Sequence, residues 1–238
     1  AIREDIQRAL TQAMGRVQGS AVILDVATGP IVASHRLDAA ARRVVRPGST
    51  VKPFTLMALM NARLVTDATT LLCPRTLRVQ NRNLDCSHVA TSEPVDAVAA
   101  IAYSCNNFFA RMAERLPVDV LPRAFQAAGL TSQTGLVPYE AIGSVQTAGS
   151  RELLQLMPVG EHGIRVTPLG LAAAYRSLAL RIGNDGASDE KSQVVMQGLQ
   201  AAAEFGTARL AKPDRVSIAG KTGTAASGAG PPPHAWFR

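Results

Sequence analysis

Aromatic residues are scarce in this chain of 238 residues: Phe, Tyr and Trp make up 4%, against 47% for all hydrophobic residues together. The core must therefore be built from Ala, Leu, Val and Ile, which favours a helix-rich protein over a sandwich or barrel. Cysteine is sparser still, with only Cys73, Cys86 and Cys105. No C-x-x-C and no H-x-x-x-H pair occurs, so the spacing offers no zinc site, and no metal or cofactor is expected. No apolar run is long enough to span a membrane, and no signal peptide stands at Ala1. The chain starts directly in a helical pattern, so an export signal or anchor is expected to have been removed or to lie outside this sequence. The net charge is +7, yet the basic residues are scattered and no run of five like charges appears. That pattern argues for a solvated basic surface and against nucleic acid as a partner. G-x-S-x-G is absent, and His35, His88, His162 and His234 lie in no recognisable setting, which argues against a Ser-His-Asp esterase.

What is present reads as an α+β chain of one domain. Ile2, Ile6, Leu10 and Met14 fall at steps of four and predict a helix over 2–14. SAVILDV and IVASH, separated by the turn ATGP, predict a hairpin over 20–35 with a buried first strand. Residues 49–64 are apolar on nearly every face, the mark of a buried helix, with Pro53 in its first turn. The region 94–182 reads as almost entirely helical. One helix in it ends at Gly129, and another is capped by Thr167 and Pro168 and closed by Gly183. A further helix covers about 190–204. RVSIAG (215–220) and HAWF (234–237) read as strands on either side of the loop ASGAGPPP. The early and late strands are expected to join one antiparallel sheet. The sheet lobe then covers about 1–48 and 205–238, with a helical lobe over about 49–204. Cys73 and Cys86 bracket CPRTLRVQNRNLDC, which reads as a hairpin. A disulfide there would suit an exported protein and add about 3 kcal/mol; two unpaired thiols fit the sequence equally.

Three short motifs carry chemistry. In Ser49-Thr50-Val51-Lys52, positions i and i+3 of a helix share a face, so hydroxyl and amine can meet. The free N–H groups at the helix start favour negative charge on Ser49, and a desolvated lysine one turn away can act as its base. Ser188-Asp189-Glu190-Lys191 fits the same spacing, but it lies in a polar loop with no buried helix behind it. Ser104-Cys105-Asn106 stands at a break between helices, where Ser and Asn are more often caps than catalysts. Cys105 itself is expected only to pack. Lys221-Thr222-Gly223-Thr224 follows strand-like sequence, and a strand glycine lets another backbone approach closely.

Together, in this order and in these elements, the motifs resemble the penicillin-binding protein transpeptidase family, within the wider penicilloyl-serine group that includes serine β-lactamases. GSAVILDVATGPIVAS, RPGSTVKPF, AIAYSCNNFFARMA, GIRVTPLGLAAAYRSLA, VMQGLQAAAEFGTA and AGKTGTA all look like stretches of peptidoglycan D,D-transpeptidases. The likeness covers most of 18–237. It implies an antiparallel sheet with flanking helices and an inserted helical lobe. It also implies that Ser49 attacks the penultimate D-Ala carbonyl of a stem peptide and that Lys52 takes its proton. Ser104 relays a proton to the leaving amine, and Asn106 orients Lys52. Lys221, Thr222 and Thr224 hold the terminal carboxylate beside Gly223, and the N–H groups of Ser49 and Thr224 form the oxyanion hole. Further implications are β-lactams as covalent inhibitors, other cell-wall synthesis proteins as partners, and a place in the cell envelope for an exported or membrane-anchored protein. Two features depart from the family: no strand and helix follow HAWF, and the link 183–193 is short. The E-x-x-L-N pattern of one β-lactamase class is absent, and S-C-N stands where another class has S-x-V. Both favour a transpeptidase or carboxypeptidase over a β-lactamase; a penicillin-binding sensor without turnover remains a third reading.

Overall fold

The apolar steps of four form helix α1 (Glu4–Met14) in the computed structural model, which describes residues 2–88, 93–184, 189–225 and 233–237. Helix α1 lies along β2 (Ile31–His35), which pairs antiparallel with β1 (Ala21–Leu24). Strand β1 is only half-buried along its length, not buried as expected. The outer edge of β2 is occupied by α1. Arg3 N–H donates to Val32 O, and the Gln7 amide both donates to Ser34 O and accepts from Ser34 N–H. An edge whose backbone groups are satisfied this way cannot take another strand.

After α2 (Leu37–Arg42) the chain tightens into a 3-10 turn at Gly48–Val51 and opens into α3 (Lys52–Asn61). Phe54, Thr55, Leu56, Ala58, Leu59 and Met60 are all buried, so α3 runs through the centre of the core. The predicted hairpin is present as β3 (Arg78–Val79) and β4 (Arg82–Asn83). Helices α4 (Ala97–Ala102), α5 (Asn106–Ala113) and α6 (Val120–Ala127) follow, then β5 (Ser144–Val145), α7 (Arg151–Leu156) and β6 (Ile164–Arg165). Helices α8 (Pro168–Asn184) and α9 (Glu190–Glu204) lead to β7 (Thr222–Ala225) and β8 (His234–Phe237). Short polar side chains open several helices by accepting a free N–H, as capping requires: Asp96 from Ala99, Ser150 from Leu153, Thr167 from Gly170 and Asp189 from Ser192.

The α+β class stands, but four expectations are corrected. Among the described residues the strands form four separate two-stranded antiparallel ladders, not one joined sheet. The α1 cover on β2 supplies the reason on one side. RVSIAG is not a strand. Its residues are mostly exposed, no described strand pairs with them, and Gly220 N–H bonds Leu199 O in α9 instead. Residues 129–150 carry no helix. Glycines and Pro138 interrupt them, and the Glu140 carboxylate organises the loop by accepting from Thr134, Leu136 and Val137 N–H. Helix α8 passes through Gly183 to Asn184. The loop ASGAGPPP, apart from its last proline, and Ser188 lie outside the described residues.

Candidate active site

Ser49 is the second residue of the 3-10 turn, and Lys52 N–H donates to Ser49 O. In such a turn residues three apart eclipse, so Ser49 and Lys52 stack on one side more directly than an α-helix would place them. Ser49 is half-buried, whereas Lys52 has no exposed surface. Two neighbours hold the chain here by its backbone: Tyr175 in α8 donates its hydroxyl to Thr50 O at 2.7 Å, and Trp236 in β8 donates its indole N–H to Arg46 O at 3.2 Å, just before the turn. Just after it, Thr55 in α3 donates its hydroxyl to Pro158 O at 3.1 Å.

The Lys52 amine reaches the S-C-N segment. Its Nζ donates to Ser104 O at 2.7 Å, Ser104 Oγ at 3.1 Å and Asn106 Oδ1 at 2.6 Å. Three N–H bonds meet three acceptors, the full capacity of an ammonium. Ser104 adopts φ 55°, a conformation costly for a residue with a Cβ. This conformation goes with a Ser104 whose carbonyl and hydroxyl both reach the same amine. Asn106 donates its Nδ2 to Leu84 O at 2.8 Å, which leaves its Oδ1 directed at Lys52. Burial pulls the Lys52 pKa down to about 8, against a smaller upward pull from Cys105 and Cys86.

Strand β7 closes the other side by backbone approach. A Cβ on Gly223 would stand 2.8 Å from Thr50 Cγ2 and 3.1 Å from Pro47 O. A Cβ on Gly48 would stand 2.4 Å from Thr224 O, and one on Gly160 only 2.1 Å from Gly48 O. Gly48 also donates its N–H to Gly160 O at 3.2 Å. Three glycines thus let the turn at 160, the Ser49 turn and β7 stack backbone on backbone. Lys221 is fully buried; burial and the nearby Lys52 charge push it well below the ordinary lysine range. Two close buried amines cannot both stay charged at low cost, so the charge on Lys52 disfavours one on Lys221. Thr224 is exposed, and the half-buried Thr222 donates its hydroxyl to Thr207 Oγ1 at 2.8 Å.

The structure therefore brings Lys52, Ser104 and Asn106 into direct contact and sets Lys221 and the Thr222–Thr224 strand beside the Ser49 turn. Gly223 is approached closely by Pro47 and Thr50 of this chain. Sequence reasoning missed Gly48, Gly160, Tyr175 and Thr207, for which no local spacing exists. Of the two readings open for Cys73 and Cys86, the structure has the free thiols, with sulfurs 3.7 Å apart, far beyond the ~2.05 Å of a disulfide. Cys105 joins them, and His88 completes a buried group of four instead of standing in no setting.

The penicillin binding protein transpeptidase domain model matches residues 19–237. A curated relative, the peptidoglycan D,D-transpeptidase PbpA of Mycolicibacterium smegmatis, is 26% identical over 312 residues, covering 99% of this chain. The chain spans 62% of that relative's length. Among solved structures, PBP2 of Helicobacter pylori superposes with a TM-score of 0.87 at 17% identity, over 100% of this chain and 56% of that one. Pseudomonas aeruginosa PBP2, solved in complex with WCK 5153, gives 0.85 at 21% identity, over 99% and 68%. Because the family match runs from the first hairpin to the last strand and takes in all three motifs, this chain belongs to the penicillin-binding protein transpeptidase domain family.

Proposed function

We propose that this chain is the catalytic domain of a peptidoglycan D,D-transpeptidase that acts on D-Ala-D-Ala stem peptides through an acyl-Ser49 intermediate. The observation that carries this reading is the buried amine of Lys52, three residues after Ser49 across a 3-10 turn, bonded to Ser104 and Asn106. When Lys52 is neutral, two N–H bonds suffice for Ser104 O and Asn106 Oδ1. Its lone pair is then available to take the Ser49 proton as Oγ attacks the penultimate D-Ala carbonyl. Ser104, at 3.1 Å from Nζ, is placed to pass that proton to the leaving D-Ala amine. The N–H groups of Ser49 and Thr224 would stabilise the oxyanion, and Lys221, Thr222 and Thr224 would hold the substrate carboxylate. For that, the Thr222 hydroxyl must turn from Thr207 or accept while it donates. An acceptor amine then releases the acyl group, whereas a β-lactam acylates Ser49 and stays.

The family match and the PbpA likeness support a site of action in the cell envelope, among other cell-wall synthesis proteins. Among related structures, Helicobacter pylori PBP2 has been solved with MreC. None of the described helices is long and apolar enough to cross a membrane. The division into a sheet lobe over about 1–48 and 205–238 and a helical lobe over about 49–204 belongs to the same reading.

Labelling with a fluorescent penicillin tests the proposal. One label per chain is expected, mapped by peptide mass to the segment containing Ser49, with a lifetime of hours; D-Ala should be released from a D-Ala-D-Ala peptide. A folded chain that takes no label would overturn the enzyme reading, and a label lost in seconds would make it a β-lactamase.

The Lys52 pKa also fixes a pH profile. The base is the neutral amine, and its pKa is lowered to about 8. The acylation rate constant should therefore rise about tenfold between pH 7 and pH 9 and then level off. Stopped-flow acylation across that range checks it; a flat profile would remove Lys52 as the base.

A further inference from the structure

Between α3 and α4, the described residues of the 35-residue segment 62–96 hold only the two short strands β3 and β4. Connections this long and irregular are uncommon inside a domain unless something holds them. Cys73, Cys86 and His88 all lie in this stretch and converge on Cys105, the middle residue of S-C-N. All four are buried, and their potential ligand atoms lie within 4.8 Å of one another.

The distances are specific. The three sulfurs stand 3.7 Å (Cys73–Cys86), 3.7 Å (Cys86–Cys105) and 3.4 Å (Cys73–Cys105) apart, and His88 Nε2 is 3.6 Å from Cys73 Sγ. Four ligands at the corners of a tetrahedron, with Zn–S about 2.3 Å and Zn–N about 2.0 Å, require S···S of about 3.8 Å and S···N of about 3.5 Å. Each sulfur also faces one N–H donor. Arg75 N–H points to Cys73 at 3.4 Å, Asn107 Nδ2 to Cys86 at 3.5 Å, and Phe108 N–H to Cys105 at 3.5 Å. A neutral thiol is a poor acceptor, while a metal-bound thiolate is commonly supported by such donors. Three thiols buried merely as small apolar groups have no need of three amide donors or of an imidazole.

We propose that Cys73, Cys86, His88 and Cys105 bind one zinc ion as a closed structural centre that ties the 62–96 segment to the Ser104–Asn106 loop. Three sulfurs and one nitrogen suit zinc better than magnesium or calcium, which take oxygen ligands. Four protein ligands leave no open position, so the ion is structural and not part of acyl transfer. Its place is informative all the same. Cys105 lies between the two residues that bind Lys52 Nζ, so fixing its sulfur fixes both neighbours. The ligands come as C-x12-C-x-H-x16-C, with no short paired spacing. That is why the sequence alone argued against a metal.

The test is metal analysis of the chain purified without chelator or polyhistidine tag. About one zinc per chain is expected, and wild-type thiols should react with a thiol reagent only after strong chelation. Chain stripped of metal should take up cobalt(II) with the visible bands of a four-coordinate ion and sulfur-to-cobalt charge transfer in the near ultraviolet. Cys73→Ser and His88→Ala should each lose the zinc. Less than about a tenth of an equivalent of zinc in wild type, with no cobalt uptake, overturns the proposal. So does a Cys73–Cys86 disulfide found by peptide mass, another metal at one equivalent, or full zinc retention in both variants. If the variants fail to fold, the wild-type zinc and cobalt measurements decide alone. None of these readouts depends on reaction with penicillin, so this centre and the acyl-Ser49 reading stand or fall separately.

Discussion

Lys52→Met is expected to slow acylation by penicillin about 10²–10⁴-fold, the range for loss of a positioned general base. Ser49→Ala should give no covalent label at all, which sets the floor of the measurement. Methionine has nearly the length of lysine and no charge, so it fits a fully buried site. It leaves Ser104 O and Asn106 Oδ1 without the Nζ donor, at about 1–3 kcal/mol for each orphaned acceptor. It also removes the cost of burying an amine, whose size is visible in the lowered Lys52 pKa. The two effects oppose each other, so the melting temperature should move far less than the rate. Second-order acylation rate constants and thermal melts on the same samples separate the two. If Lys52→Met acylates at the wild-type rate, Lys52 is a buried filler and the base lies elsewhere.

The second large effect is structural. Gly160→Ala places a methyl 2.1 Å from Gly48 O and 2.7 Å from Gly48 C, at a residue whose φ is +72°. The obstacle is backbone on both sides and cannot rotate away. Together the left-handed conformation and the overlap should cost about 3–5 kcal/mol. For a chain of this size that lowers the melting temperature by roughly 10 °C. The displaced residue is Gly48, next to Ser49, so the acylation rate should fall with stability. Gly129→Ala is the control. Its φ is +80°, but no atom stands within 4 Å of the added methyl. It should cost only the conformational strain of about 1–2 kcal/mol and leave acylation unchanged. Equal behaviour of the two variants would show that backbone stacking at 160 does not position Ser49.

The contrast between these two glycines marks the limit of what a sequence carries. Gly129 was legible because a helix C-terminus followed by glycine is a local pattern. Gly160 was not, because its constraint is an approach by a segment more than a hundred residues away. The same division runs through the fold. Helix α9 was predicted at its observed bounds, and α1, α6 and the start of α8 nearly so, because capping residues and apolar periods are local. The single sheet was not found. Strand pairing depends on which edges are free, and the Gln7 side chain takes the edge of β2. RVSIAG has β-forming residues but, among the described residues, no partner strand, and an unpaired strand has no reason to exist.

At the site, the sequence by itself determined the chemistry on offer: a serine one turn before a lysine at the start of a buried helix, an S-C-N break and a late K-T-G. Those are residue types at short spacing, and they suffice to name the family. The tertiary structure decided what that lysine is. Its complete burial lowers its pKa, and the strained Ser104 bonds it twice; neither is a property of the S-x-x-K spacing. Tertiary structure likewise turned three scattered cysteines and one histidine from bystanders into a single cluster. Ligand convergence is a matter of distance in space, and the separations along the chain carry no trace of it.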